Sequence, residues 1–326
     1  MKNIWLVLPC YNEEQVIEQS AAILKDFMER LIEQNVIDAE SKVLFVDDGS
    51  KDGTWKLLEA VCMSDKLFVA LKLANNRGHQ NALLAGMMYA KEYCDAVITL
   101  DADLQHDISA IPKFVQLYQE GNEIVCGIRK SRKGEGVFKA LTGNVYYDVL
   151  HFMGVNVIKN HADYRLMSKK ALKALEEYKE SNLFLRGIIP QLGMCSCTLE
   201  YDEKERLAGE SKYSLRKMLK LAMDGITSFS IRPIQFITGC GFFFFIFSII
   251  MFIYAIIAFC RQGAVPGWTS IVAPIYLLGG IQLLALGIVG EYIGKIYMET
   301  KGRPRYCIEK VVGNTDSLRK MENENE

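Results

Sequence analysis

The chain has 326 residues, half of them hydrophobic, with a formal net charge of −1. That length admits one ordinary domain and something more, and the near-neutral balance excludes the broad basic field of a nucleic-acid-binding protein. Nine cysteines lie scattered at positions 10, 62, 94, 126, 195, 197, 240, 260 and 307 without zinc-site spacing, which predicts free, mostly buried thiols in a reducing compartment.

Residues 4–8 form an apolar run too short for a signal peptide and read as the first strand. Pro9, Cys10, Tyr11, Asn12, Glu13 and Glu14 then turn the chain into a helix with apolar positions at Val16, Ile17, Ile23, Leu24, Phe27 and Leu31. Asn12 is its expected N-cap, and Glu13 and Glu14 suit the positive end of the helix dipole. A second strand, 43–46, ends in the loop from Asp47 to Thr54, where Asp52 is expected to cap the next helix. A third strand, 67–73, leads through Asn76, Arg77 and Gly78 to a helix of small and apolar residues ending near Tyr93. A fourth strand, 96–100, runs into Asp101-Ala102-Asp103-Leu104-Gln105-His106-Asp107, and a helix with Pro112 in its first turn follows. Residues 123–127 are the fifth strand. This alternation predicts an α/β domain with a Rossmann-like, mostly parallel sheet. Neither a GxGxxG fingerprint nor a phosphate-binding GxxxxGK[ST] loop is present.

Asp101 and Asp103 stand at a strand's carboxyl end, where open α/β sheets bind ligands. In an extended chain they point the same way. Paired hard oxygens there suit Mg²⁺ or Mn²⁺ holding substrate phosphates, so the expected chemistry is metal-assisted departure of a nucleoside diphosphate. The bland alternative is an acidic loop with Asp107 capping a helix. His79 and His106 are expected to be structural.

Residues 128–150 are rich in glycine and basic side chains, which suits a loop that handles an anion, with Lys130 and Lys133 read as solvated charges. Residues 197–201 are strand-like. Residues 214–229 are amphipathic and basic, the pattern of an interfacial helix. Residues 234–260 and 263–290 carry no charge, and each is long enough at about 1.5 Å per residue to cross a hydrocarbon core of roughly 30 Å. Arg216, Lys217, Lys220, Arg232, Lys295, Lys301, Arg303 and Arg305 flank their outer ends, against Arg261 alone between them. The expectation is a multi-pass plasma-membrane protein with catalytic domain and both termini cytoplasmic. Its divisions are a domain over 1–213, an interfacial helix over 214–233, transmembrane helices over 234–260 and 268–292, and a tail over 293–326. Gly290 and Gly294 are among the small-x-x-x-small spacings that permit a homo-oligomer.

Five motifs now stand in order: Pro9-x-Tyr11-Asn12-Glu13; Val46-Asp47-Asp48-Gly49-Ser50-x-Asp52-Gly53-Thr54; Asn76-x-Gly78-x-x-x-Ala82; Asp101-Ala102-Asp103-Leu104-Gln105-His106; and Arg206-x-x-Gly209-x-Ser211-Lys212-Tyr213. Together with the two apolar segments they resemble family 2 glycosyltransferases of the GT-A fold, and among these the polyprenyl-phosphate glycosyltransferases: bactoprenol glucosyltransferases and dolichol-phosphate mannose synthases. The resemblance spans nearly the whole chain. It implies a nucleotide-diphosphate sugar donor, a polyprenyl phosphate acceptor and Mg²⁺ or Mn²⁺. By resemblance, Pro9, Tyr11, Glu13 and Asp48 hold the nucleoside, Asp101 lies beside ribose and metal, Asp103 ligates the metal, and Gln105 adds a further oxygen ligand. Arg206 and Lys212 close over the donor pyrophosphate. Arg129, Lys139 and Arg132 hold the acceptor phosphate, although lysine at 139 cannot form arginine's two-pronged fork. Asp163 matches the family's active-site acid. It is either a base or positioning group at the acceptor or a carboxylate holding a sugar hydroxyl or a basic side chain, and a simple ion pair with Arg165 is the plain alternative.

The reaction so implied inverts the anomeric carbon in one in-line displacement by a lipid phosphate. Glucose from UDP-glucose is the first expectation; galactose, N-acetylglucosamine and mannose are the others. A processive polysaccharide synthase is disfavoured, since none of the three tryptophans follows an arginine. A non-catalytic nucleotide-sugar-binding scaffold is the alternative from another class. Deleting residues 234–326 is expected to leave a foldable soluble domain.

Overall fold

The computed structural model describes residues 1–130, 161–180, 184–202, 234–244, 246–247, 250 and 268–313. They divide between two compact units. One is drawn from Met1–Asn144, Asn156–Tyr213 and Arg303–Glu326, the other from Val145–Val155 and Ser214–Gly302.

The first unit is organised by a sheet. Its strands are β1 (Ile4–Cys10), β2 (Lys42–Asp47), β3 (Phe68–Leu73), β4 (Ala96–Thr99), β5 (Ile124–Arg129), β6 (His161–Ser168), β7 (Ser196–Tyr201) and β8 (Ile308–Val312). Among the described residues they lie in the order β7-β5-β6-β4-β1-β2-β3-β8. The pairs β4-β1, β1-β2, β2-β3 and β5-β7 are parallel. Strand β6 runs antiparallel to both neighbours, and β8 runs antiparallel to β3. The expected mostly parallel, GT-A-like α/β architecture is therefore present, with two reversed strands that apolar periodicity did not single out.

Strand β1 shows why the centre forms. All seven of its residues are buried, because helices cover both faces. Ile4, Leu6 and Leu8 join a cluster with Leu24 and Met28 of α1 (Ile17–Glu33), Leu58 of α2 (Thr54–Ser64) and Phe114 of α4 (Ile111–Gln119). The opposite face of β1 meets α3 (His79–Ala90). There Gly86 lets the helix backbone come close, since a Cβ added to it would stand 2.5 Å from Val7 Cγ1 and 2.6 Å from Val46 Cγ2. Trp5 stacks on Tyr93 with centroids 5.6 Å apart. Burying a side chain of such size contributes roughly 1.5–3 kcal/mol. Two further helices, α5 (Lys169–Glu176) and α6 (Leu185–Gln191), follow β6.

Strand β1 lies between β2 and β4, so the chain turns opposite ways on leaving β1 and β4. The loops at their carboxyl ends part there and leave the crevice in which α/β sheets place ligands.

Several expectations change. Helix α1 begins at Ile17 with Val16 as its cap residue, so Asn12 is not the N-cap. Asn12 takes a left-handed φ of 53° and ties two loops together instead. The cap residue of α2 is Gly53 rather than the expected Asp52, although Asp52 accepts from the Thr54 N–H at the first residue of the helix. Of the described cysteines, which are all free, Cys10, Cys62, Cys94 and Cys126 are buried; Cys195 and Cys307 are exposed. Burial pushes the Cys62 and Cys94 thiols up to about 12. Residues 293–326 are not simply a tail, because Ile308–Val312 adds β8 to the sheet edge. The deletion from residue 234 onward therefore removes part of the domain it was meant to isolate.

In the second unit, α7 (Ile234–Phe244) and α8 (Trp268–Thr300) are described. Within α8, Ile281–Thr300 is apolar and long enough to cross a membrane by length and composition. Helix α8 runs eight residues past the expected end at 292, because no proline or glycine pair interrupts the sequence there. As described, α7 is too short to cross, and residues 251–267 lie outside the described residues, as does the expected interfacial helix at 214–233.

Candidate active site

Three loops at the carboxyl ends of β1, β2 and β3 are joined into one platform. The Asn12 N–H donates to Ser50 Oγ at 3.0 Å, and Asn12 Oδ1 accepts from the Lys51 N–H at 2.9 Å. The Glu13 N–H donates to Thr54 Oγ1, and Glu14 Oε2 accepts from the Gly53 N–H. Asp48 is buried; its Oδ1 accepts from the Arg77 N–H at 2.6 Å and its Oδ2 from the Gly78 N–H at 2.8 Å. Burial raises its carboxyl while those two N–H groups restrain the rise. Asp48 thus braces the turn at 77–78, and each oxygen keeps a second lone pair for another donor. Gly49 is fixed by the same closeness. It has a φ of 67°, and a Cβ there would lie 2.7 Å from the Asn75 carbonyl carbon. Pro9 is buried within β1, whereas Tyr11 is exposed on the platform.

Beyond β4 the chain does not stay extended. The Leu104 N–H donates to the Asp101 carbonyl at 3.1 Å, closing a turn with Leu104 at a φ of 49°. That left-handed conformation costs a branched side chain energy, and Leu104 is held there by its own burial and by Ser20 Oγ donating to the Ala102 carbonyl at 2.7 Å. The turn, not strand alternation, sets Asp101 and Asp103. Asp103 Oδ1 accepts from the Gln105 N–H at 3.2 Å. Asp107 accepts from Ser109 at the start of a short 3₁₀ turn, Ile108–Ala110, as a cap should.

Asp101 stands between two histidines. Its Oδ1 lies 3.7 Å from His79 Nε2 and its Oδ2 lies 3.5 Å from His106 Nε2. His106 is buried, stacks on Tyr164 at 5.1 Å and accepts the Asp101 N–H on Nδ1 at 3.3 Å. Burial lowers its pKa, which favours the neutral ring.

Asp163 is the other focus. In register Thr99 of β4 pairs with Arg165 of β6, which carries Asp163 two residues further, toward Asp101. Arg165 Nη2 donates to Asp163 Oδ1. Arg186 of α6 donates from Nε to Oδ1 at 3.3 Å and from Nη2 to Oδ2 at 3.0 Å. His79 Nε2 lies 3.5 Å from Oδ2. Burial alone would raise the Asp163 carboxyl, but Arg186, His79 and Arg165 outweigh it and hold it well below the usual carboxylate range. For His79, which is exposed to solvent on one side, desolvation by its neighbours opposes the charged ring, and the bond to Asp163 with the charges of Asp101 and Asp163 overcomes that and raises its pKa. Of the expected roles for Asp163, gripping basic side chains matches this geometry. Proton acceptance does not, because each carboxylate oxygen already faces a cation.

Arg129, at the end of β5, donates from Nε to the Tyr201 hydroxyl at 3.4 Å. Arg132, Lys139, Arg206 and Lys212 lie outside the described residues. His79 and Arg186 were not anticipated in the site. His79 opens α3 immediately after the platform turn, a place that could have signalled it. Arg186 follows Asp163 by 23 residues with no motif around it.

Among the described residues, no three His, Cys, Asp or Glu side chains converge as a metal cage. Asp101 and Asp103 supply two carboxylates at most, the donor set of a Mg²⁺-type ion that completes its shell with substrate phosphates and water.

Residues 5–176 match the model of "Glycosyl transferase family 2". The chain is 49% identical over 304 residues to the uncharacterized glycosyltransferase YkoT of Bacillus subtilis, covering 93% of this chain and 90% of that one. It is 37% identical over 309 residues to the SfII prophage-derived bactoprenol glucosyl transferase of Shigella flexneri, covering 94% and 97%. It is 36% identical over 313 residues to the prophage bactoprenol glucosyl transferase homolog of Escherichia coli, covering 94% and 99%.

Proposed function

Because this chain belongs to glycosyl transferase family 2 and is a glycosyltransferase, we propose that it moves a hexose from a nucleoside-diphosphate donor, UDP-glucose first, to the phosphate of a polyprenyl phosphate. The observation that carries the reading is the juxtaposition across β4 and β6. Asp101 and Asp163 both lie beside His79 Nε2, and Asp163 is gripped in addition by Arg186 and Arg165. The bactoprenol glucosyl transferase relatives, matched along nearly the whole chain, support the lipid acceptor.

In this reading the platform of Pro9, Tyr11, Glu13 and Asp48 takes the nucleoside. Asp101 and Asp103, with Gln105, would hold Mg²⁺ or Mn²⁺, which when bound supplies charge neutralisation for the donor pyrophosphate. Arg206 and Lys212 close over the same phosphates, and Arg129, Arg132 and Lys139 face the acceptor phosphate. That phosphate is already largely anionic near neutral pH, so it needs orientation and desolvation more than deprotonation. An Asp163 whose carboxyl is held below its usual range by Arg186, His79 and Arg165 fits this, since no base is required. Attack on the anomeric carbon in one displacement inverts it.

The acceptor reading implies a membrane. Ile271, Ile275, Leu283, Leu286, Ile293 and Ile296 of α8 are exposed in the chain by itself, an apolar surface that lipid would cover. We place α8 and residues 234–260 as a two-helix hairpin in the plasma membrane, with the catalytic domain on the cytoplasmic side.

The test is a donor panel. Full-length protein in detergent receives undecaprenyl phosphate, Mg²⁺ or Mn²⁺, and labelled UDP-glucose, UDP-galactose, UDP-N-acetylglucosamine or GDP-mannose in turn. The expected outcome is label entering the lipid from UDP-glucose and lost with chelator. Label from another donor alone would change the sugar. Nucleotide binding without label from any donor would overturn the acceptor assignment.

A further inference from the structure

We infer that His106 is a positioning residue for the metal carboxylate: it holds Asp101 by backbone and by side chain, so that the carboxylate is aimed before an ion arrives. The inference rests on the metal reading above and adds to it the group that orients the ligand.

His106 meets Asp101 twice. Its Nδ1 accepts from the Asp101 N–H at 3.3 Å, and its Nε2 lies 3.5 Å from Asp101 Oδ2. A ring that accepts on Nδ1 carries its hydrogen on Nε2, so the nitrogen turned to the carboxylate is a donor. The two residues are five apart in the chain. The turn closed at Leu104 brings them back together, so one ring spans both the amide and the carboxylate of Asp101.

The second of these contacts is incomplete. Nε2 is buried without a hydrogen bond, and 3.5 Å is some tenths of an ångström beyond a good N–H···O distance. A buried donor left in that state costs about 1–3 kcal/mol. That cost favours the carboxylate orientation that brings Oδ2 onto Nε2. The other oxygen, Oδ1, then stays on the side of His79, whose side chain is 44% exposed against 1% for His106. Oδ1 is therefore the oxygen left to an incoming cation.

The ring itself is fixed. It stacks on Tyr164 with centroids 5.1 Å apart and meets Tyr201 edge-on at 5.5 Å, and both tyrosines are buried. The loop that carries it is tied on either side of Asp103: Ser20 Oγ donates to the Ala102 carbonyl at 2.7 Å, and the Tyr164 hydroxyl donates to the Asp107 carbonyl at 3.2 Å. A histidine that only filled space here would need neither nitrogen at Asp101. Groups that orient a ligating carboxylate in this way tune the ion it holds, and their loss lowers metal affinity about 10- to 100-fold.

The experiment measures Mn²⁺ uptake by the full-length protein in detergent with UDP present, read from the loss of the free-ion EPR signal, in wild type, His106→Phe and His106→Gln. Phenylalanine keeps the stacking and loses both nitrogens. Glutamine loses the ring and returns an amide donor. Expected for His106→Phe is a Mn²⁺ Kd raised about 10- to 100-fold with a melting temperature near that of wild type, and His106→Gln should fall between the two. An unchanged Mn²⁺ affinity in His106→Phe overturns the proposal. So does the reverse order, with His106→Gln the weaker binder, since packing of the ring rather than its nitrogens would then set Asp101. A His106→Phe chain with no melting transition overturns it as well, because the nitrogens would then serve folding. A wild type that takes up no Mn²⁺ brings down the metal reading itself. A wild type that binds Mn²⁺ while His106→Phe matches it brings down this inference alone.

Discussion

Asp163 concentrates the residue-scale energetics of the site. Asp163→Asn leaves Arg165 buried without its counter-charge, and breaking a buried pair in that way costs about 3–5 kcal/mol. The pH dependence has a definite sign. The folded-state pKa is depressed, so the carboxylate stabilises the fold above its unfolded value near 4 and that contribution fades only as pH falls through the lower folded value. Denaturant melts should therefore show the full gap between wild type and Asp163→Asn at pH 7, closing below about pH 4. A gap that closes already between pH 7 and 5 would mean that Asp163 titrates as a raised carboxyl. At this scale the sequence was partly legible. Asp163 beside Arg165 could be read from adjacency along the strand. His79 had a signal in its place at the start of α3, just after the platform turn; Arg186 had none, since it arrives from another element and no local spacing encodes the meeting.

Among the elements, α3 couples packing to chemistry. It presses on β1 and β2 through Gly86 and presents His79 and Gln80 at its first turn. Gly86→Ala gains up to about 1 kcal/mol of helix propensity. It also drives a methyl into Val7 and Val46, branched side chains of two strands with nowhere to turn, and overpacking of this kind costs about 1–3 kcal/mol. The expected net result is a lower melting temperature together with a lower kcat, as the helix start shifts away from Asp163. Greater stability with unchanged kcat would show that α3 has slack. Strands β1 to β5 were legible because buried parallel strands are near-continuous apolar runs. Strand β6 was not: its His161, Asp163 and Arg165 break the apolar pattern, and Arg165 meets its counter-charge, Asp163, inside the fold rather than in water. The turn at Asp101 was read as extended because nothing in the motif announces a left-handed leucine.

For the whole molecule, the catalytic unit is not contiguous in the chain. Strand β8 seals the β3 edge, with Lys72 meeting Glu309 at 2.9 Å and Lys310 meeting Glu59 at 2.6 Å. A chain ending at residue 302 exposes the edge of a strand reading Phe-Val-Ala-Leu-Lys-Leu, a template for intermolecular pairing. It should melt lower and aggregate with rising concentration, whereas a chain ending at residue 313 should match the full length; equal behaviour of the two would deny β8 a structural role. Five residues with two lysine or glutamate side chains among them gave no signal of this in the sequence, because an exposed edge strand needs little apolar content. The return of the chain also imposes a rule of parity. Both ends of the stretch from 203 to 302 are sewn into one sheet, and a bilayer cannot divide a sheet. Crossings made by that stretch must come in even number. A solitary traverse by α8 would strand Ile308–Val312 on the far side from β3, so if α8 spans, another part of the same stretch spans in the opposite direction.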